Sequence, residues 1–209
     1  MEILIFILAA VCAYLICGIN PAIILSKLIY HQDIRTCGSG NPGFTNFKRT
    51  YGNKWAWWVL VLDLGKAIAV TLVFGGLFKK YLGNYTLGAA YTGLFAMLGH
   101  TYPLWYGFKG GKGFLVCMAL MWVIDWRVGL AALGIMMLLL LTTKYMSLAN
   151  ICAMLSCPIT LLAVHTEPLV IVLCTVCVML MTWRHRENIK RLIHGTESKF
   201  SFKNKTVRE

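Results

Sequence analysis

The chain has 209 residues, of which 58% are apolar and only 13% charged, with a mean hydropathy of +0.68 and a net charge of +12. That balance excludes an ordinary soluble domain and a disordered chain and points to an integral membrane protein. The basic excess needs no nucleic-acid partner, because positive residues facing the cytoplasm and anionic lipid account for it.

The apolar residues fall into blocks at 3–25, 55–78, 85–107, 114–124, 128–142, 148–164 and 168–183. A helix needs roughly 17–25 residues to cross a ~30 Å hydrocarbon core, so the first three blocks are long enough and the later ones are short. The expected fold class is therefore all-α: a polytopic membrane helix bundle of about seven transmembrane helices, with five or six as the lower counts. The opening MEIL lacks the basic stretch of a cleavable signal, so the first block is expected to be a retained span. Alternating seven spans places 26–54, 108–113, 143–147 and 184–209 on one face, with 16 of the 20 Lys and Arg. That bias predicts an outside N-terminus and a cytoplasmic C-terminus. No repeat or soluble insert interrupts the chain, so 1–209 reads as a single integral membrane domain.

The segment 29–54 is expected to be a long connection folded back on the bundle, because Phe44, Phe47 and Tyr51 argue against disorder. Within it, GSGNPGFTNFKR sets Gly38, Gly40 and Gly43 among Ser39, Asn41, Thr45 and Asn46, with Arg49 following. Glycines let N–H groups converge on an anion, and Arg can grip a phosphate bidentately. A turn-rich loop with anchoring charges explains the same residues, and the motif alone leaves both readings open. Asp63 and Lys66 lie three apart inside the next block, a spacing that allows pairing as a clamp or as part of a conduction path.

In 99–113, GHTYPLWYGFKGGKG, His100 and Pro103 close an apolar helix. Gly110 and Gly111 separate Lys109 from Lys112, a turn whose backbone could approach a phosphate. In 143–150, TKYMSLAN, Ser147 is either a polar contact or the cap of the following helix. In 184–199, His185 and Asn188 are three apart, hence on one helical face just after the last block, while the arginines around them read as solvated anchors. Cys174 and Cys177 form a CxxC, but within VLCTVCVMLM they read as small buried hydrophobes.

The absences narrow the chemistry. The eight acidic residues are scattered, which disfavours two-metal phosphoryl transfer; no cofactor or metal is expected. There is no G-x-S-x-G elbow, and no histidine is followed by Asp five positions on.

Taken together, GSGNPGFTN, GHTYPLWYGFKGGKG and HRENIKRLIHGTESK resemble the three signature motifs of the acyl-phosphate:glycerol-3-phosphate acyltransferases, the PlsY family of bacterial inner membranes. The resemblance spans nearly the whole chain. It implies transfer of a fatty acyl group from acyl phosphate to the 1-hydroxyl of glycerol-3-phosphate, giving lysophosphatidic acid and phosphate at the cytoplasmic side of a multi-pass protein acting as a monomer. It places Ser39, Arg49, Lys109, His185 and Asn188 in catalysis. Gly38, Gly40, Asn41, Gly43, Thr45, Asn46, His100, Gly110, Gly111, Lys112 and Ser147 would bind substrate. Three positions depart from the family pattern: Phe44 for alanine, Ala67 for glycine and Asn150 for serine. Rival readings are a transporter of a phosphorylated anion, favoured by Asp63 and Lys66 alone, and a scaffold for lipid enzymes.

Overall fold

A computed structural model describes residues 1–201; the last eight residues, counted above with the cytoplasmic face, lie outside the described residues. Every regular element there is helical: α1 (Glu2–Gly18), α2 (Pro21–Tyr30), α3 (Phe44–Tyr51), α4 (Ala56–Leu82), α5 (Tyr85–Thr101), α6 (Phe114–Ile124), α7 (Trp126–Thr143), α8 (Met146–Ala163), α9 (Pro168–Arg184) and α10 (Arg186–Ile193). Each of the seven apolar blocks is mainly helical, the first as two helices, α1 and α2. By length and apolarity four segments qualify as membrane spans, Glu2–Tyr30, Ala56–Leu82, Trp126–Thr143 and Met146–Ala163, and five if α9 and α10, bent by 56°, count as one.

Local chemistry sets the boundaries. Asn20 accepts from the Ile23 N–H at 3.0 Å and Pro21 opens α2, so the first span breaks at Ile19 and restarts. Asn84 caps α5 at Leu87, and Asp125 caps α7 at Arg127. Within the block 85–107 the helix ends at Thr101, between His100 and Pro103 as expected, because Pro103 cannot continue it, and a 3₁₀ turn, Leu104–Tyr106, follows.

The larger difference concerns 29–54. Instead of one irregular connection it carries the end of α2, a 3₁₀ turn at Ile34–Thr36 and α3. Phe44, Phe47 and Tyr51 share a face of α3; Phe47 is fully buried among Ala22, Ile23, Ile34, Ala56 and Val59, and Tyr51 stacks on Tyr30 at 4.0 Å. Burial of that face makes an eight-residue helix stable where its length alone would not.

Small side chains let the long helices approach. Ala9, Ala13 and Cys17 of α1 and Ala89, Ala90 and Ala96 of α5 are fully buried, and a Cβ on Gly99 would collide with the Tyr14 backbone. Cys174 and Cys177 are free and buried in the main apolar cluster, as their sequence context implied, and Cys117 lies there too. Away from the polar loops, Asn84 of the α4–α5 turn donates to Glu167 of the α8–α9 turn at 2.7 Å, so those two turns meet at the other end of the bundle.

Candidate active site

Four polar segments, remote in sequence, converge at one end of the bundle, and backbone anchors hold them there. Asn20, at the break in the first span, donates to the Pro42 carbonyl at 3.1 Å. Arg35 grips Asp33 and donates to the Tyr106 carbonyl at 3.0 Å, joining the first loop to the second. The hydrogen-bonded Arg35 guanidinium pulls the Asp33 carboxyl down to about 2. Arg184, at the end of α9, donates to the carbonyls of Gly110 and Gly111 at 3.0 and 3.3 Å and lies over the Tyr102 ring.

These anchors revise two expectations. The N–H groups of Gly110 and Gly111 do not face an anion; they donate to the Thr101 and His100 carbonyls at 3.2 and 3.0 Å. A Cβ at either position would strike the His100 backbone or ring, so the paired glycines allow the loop to lie against α5. Asn46 is likewise a staple. Its Oδ1 accepts the Ser39 N–H at 2.9 Å and its Nδ2 donates to Cys37 at 3.0 Å, and the loop closes this tightly because Gly38, at φ +56, has no Cβ. Asn46 thus presents Ser39 instead of donating to a ligand.

Asp63 and Lys66 are paired at 2.7 Å, with Lys66 also donating to the Ile19 carbonyl at 2.7 Å and lying 3.3 Å from His100 Nδ1. One ion pair therefore fastens α4 to the broken end of α1 and to the end of α5. This geometry is the clamp of the two sequence readings.

The third and fourth segments meet on a residue that sequence reasoning missed. Glu197 accepts from Ser147 Oγ, Asn188 Nδ2 and Arg191 Nε, each at 2.7 Å. Burial pushes its carboxyl up, but those three donors outweigh it and hold Glu197 below the ordinary carboxylate range. Ser147 does not cap α8, which begins at Met146 without a side-chain cap. Asn188 Oδ1 accepts from Lys112 Nζ, linking the second motif to the third. Nothing in the local pattern marks Glu197; only the return of 194–201 over α8, where Phe200 N–H donates to Lys144 at 2.7 Å, brings it in. His185 is buried and its Nδ1 lies 2.9 Å from the Met181 carbonyl. A carbonyl only accepts, so Nδ1 carries the proton and the neutral ring keeps its lone pair on Nε2.

Two cavities open on these residues. A small one of about 210 Å³ is lined by Gly40, Gly110, Arg184, Arg186 and Glu187 together with Ser39, Asn41, Lys112 and Arg191. A large one of about 1070 Å³ shares those last four residues and adds Gly38, Gly43, Thr45, Asn46, Arg49, His100, Ser147, His185 and Asn188 at its polar end. It then continues between apolar side chains of α4, α6 and α7. Fourteen of the sixteen expected site residues therefore line a cavity. Gly111 is packed against the His100 ring, and Lys109 is exposed, next in sequence to the lining residue Gly110 but not itself in either lining. Phe44 lines the large cavity with its ring 5.3 Å from Trp57.

Cations dominate the junction. Burial, then the positive charge of Arg191, pulls Lys112 down to about 8, with Glu197 opposing and Arg184 and Arg49 adding to the decrease. Such a site favours anions, and an apolar tunnel behind it suits an amphiphile.

Comparison with known proteins agrees with this geometry. The family described as glycerol-3-phosphate acyltransferase matches residues 7–195. The glycerol-3-phosphate acyltransferase of Prochlorococcus marinus strain MIT 9215 is 34% identical over 93% of this chain and 98% of its own length. That of Coxiella burnetii strain Dugway 5J108-111 is 34% identical over 93% and 97%. Among solved structures, PlsY, an integral membrane glycerol 3-phosphate acyltransferase, superposes in its glycerol 3-phosphate form with a TM-score of 0.86 at 32% identity, covering 94% of this chain and 96% of that one. Its lysophosphatidic acid form gives 0.83 at 31%, covering 94% and 95%.

Proposed function

Because the chain belongs to the glycerol-3-phosphate acyltransferase family, we propose that it moves a fatty acyl group from acyl phosphate to the 1-hydroxyl of glycerol-3-phosphate. The products are lysophosphatidic acid and inorganic phosphate. The observation that carries this reading is the junction of a cationic cavity and an apolar tunnel at Ser39, Asn41 and Lys112. An amphiphile with an anionic head fits the tunnel, and a small anion fits beside its head.

An acyl phosphate is an activated mixed anhydride, so no enzyme nucleophile is required. The work is to hold two anions together and balance the charge that develops. The backbone around Ser39 and the charge of Lys112 face the acyl phosphate head. Arg49, Lys109, Ser147, His185 and Asn188 orient glycerol-3-phosphate. The hydroxyl attacks the acyl carbon, the new ester C–O bond forms, and the bond to phosphate breaks. The hydroxyl proton goes to a phosphate oxygen of the bound substrate; transfer to His185 Nε2 as general base is the alternative.

In the same reading the seven apolar helices each cross the bacterial inner membrane, with the N-terminus outside, the site and C-terminus at the cytoplasmic face, and the protein acting as a monomer. The positive residues around the site support that orientation. Transport of a phosphorylated anion loses its main support, since Asp63 and Lys66 fasten three helices.

Donor competition tests the reaction. Purified protein with glycerol-3-phosphate should form lysophosphatidic acid from palmitoyl phosphate and little from palmitoyl-CoA. Efficient use of the thioester would overturn the donor assignment.

A further inference from the structure

The large cavity runs well past the polar groups. Beyond them it is lined by Leu64, Ile68, Met118, Ala119, Leu133 and Met136, none of them charged. Trp57 and Ile68, both cavity residues of α4, are eleven positions apart, or about 16 Å of helix. That depth is about half of a ~30 Å hydrocarbon core, the reach of one leaflet's acyl chains.

Trp122 is the last α6 residue in the lining. Its indole lies directly across Gly129 of α7: a Cβ built there would collide with ring atoms Cγ, Cδ1 and Cδ2. The ring therefore has no room to retreat toward α7. Trp122 is 38% exposed, so truncating it enlarges a space that is already open instead of leaving a sealed void.

We propose that Trp122, seated on Gly129, is the floor of the acyl tunnel and sets the longest acyl chain the enzyme accepts. This rests on the acyltransferase reading, because the chain enters with its activated carboxyl at Lys112 and its methyl end at the indole. Burying one more methylene changes transfer by roughly fourfold, so a floor in contact with the chain end is felt as a sharp drop in kcat/KM for the chain that overruns it.

The test is kcat/KM for lauroyl, myristoyl, palmitoyl and stearoyl phosphates with wild type, Trp122→Ala and Gly129→Ala. Ratios between chains are independent of the fraction of active protein, so partial misfolding cannot imitate the result. Removing the indole should raise the ratio of the longest chain to the next by roughly fivefold or more. A methyl at position 129 pushes the indole into the tunnel and should shift the optimum to a shorter chain. If both variants keep the wild-type ratios, Trp122 is not the floor. Failure of the wild type with every acyl phosphate would sink the donor reading instead, and the same series run with whichever acyl donor supports turnover still decides the floor.

Discussion

Lys112 was expected as one of two motif lysines, and its chemistry depends on burial that a motif does not show. It is charged below about 8 and neutral above, so anion capture weakens as pH rises through that value. We expect kcat/KM of the free enzyme to fall on the alkaline side near pH 8, and Lys112→Arg, which stays charged, to move that limb upward. A limb unchanged in the Arg variant would assign it to another group. Asn46 belongs to the same scale. The motif suggested a ligand donor, yet both ends of its amide hold the 34–39 backbone. Asn46→Ala should cost about 1–3 kcal/mol by leaving buried partners unpaired, read as a lower melting temperature in detergent, together with most of the activity. Retained stability with lost activity would instead favour direct contact with substrate. Residue type, spacing and the family resemblance made most of the polar end of the cavity legible, but not its apolar lining. Glu197 was not legible either, because its three partners come from α8 and α10 and it meets them only through the return of the chain after α10.

At the level of elements, the apolar blocks located the helices but not their starts: Asn20, Asn84 and Asp125 cap α2, α5 and α7, whereas Ser147, the cap weighed from sequence, does not cap α8. The sequence was silent on α3, whose apolar face is only three residues long and whose stability comes from the pocket beneath Phe47. The paired glycines of the second motif show the same gap. Their sequence suggested a phosphate-binding backbone, whereas contact with His100 explains why larger residues are excluded. Gly111→Ala should therefore lower thermal stability and cut activity by at least about tenfold, as expected when overpacking forces the loop from its seat. Gly134→Ala in α7 is the control, with nothing within 4 Å of the added methyl. Its melting temperature should be unchanged or higher. Equal effects at the two positions would contradict the packing role of Gly111.

For the molecule as a whole, composition established a membrane protein and charge bias grouped the loops that the structure brings together. Neither could decide what Asp63 and Lys66 do, because spacing alone permits a clamp or a path. Their contacts to Ile19 and His100 bind three helices at the depth where the cavity turns apolar. Asp63→Asn or Lys66→Met should each destabilise by about 3–5 kcal/mol through an uncompensated buried charge, and the double variant should recover much of the loss. Additive losses in thermal unfolding would argue against the pairing. The proposed reaction joins two anionic substrates at this cationic junction in one acyl transfer. Its most direct test is the purified protein in detergent with palmitoyl phosphate and glycerol-3-phosphate, following lysophosphatidic acid and phosphate together. The two products should appear one for one, with Arg49→Ala and Lys112→Ala reduced by at least about a hundredfold. Phosphate release without lysophosphatidic acid, or normal turnover by both variants, would contradict it.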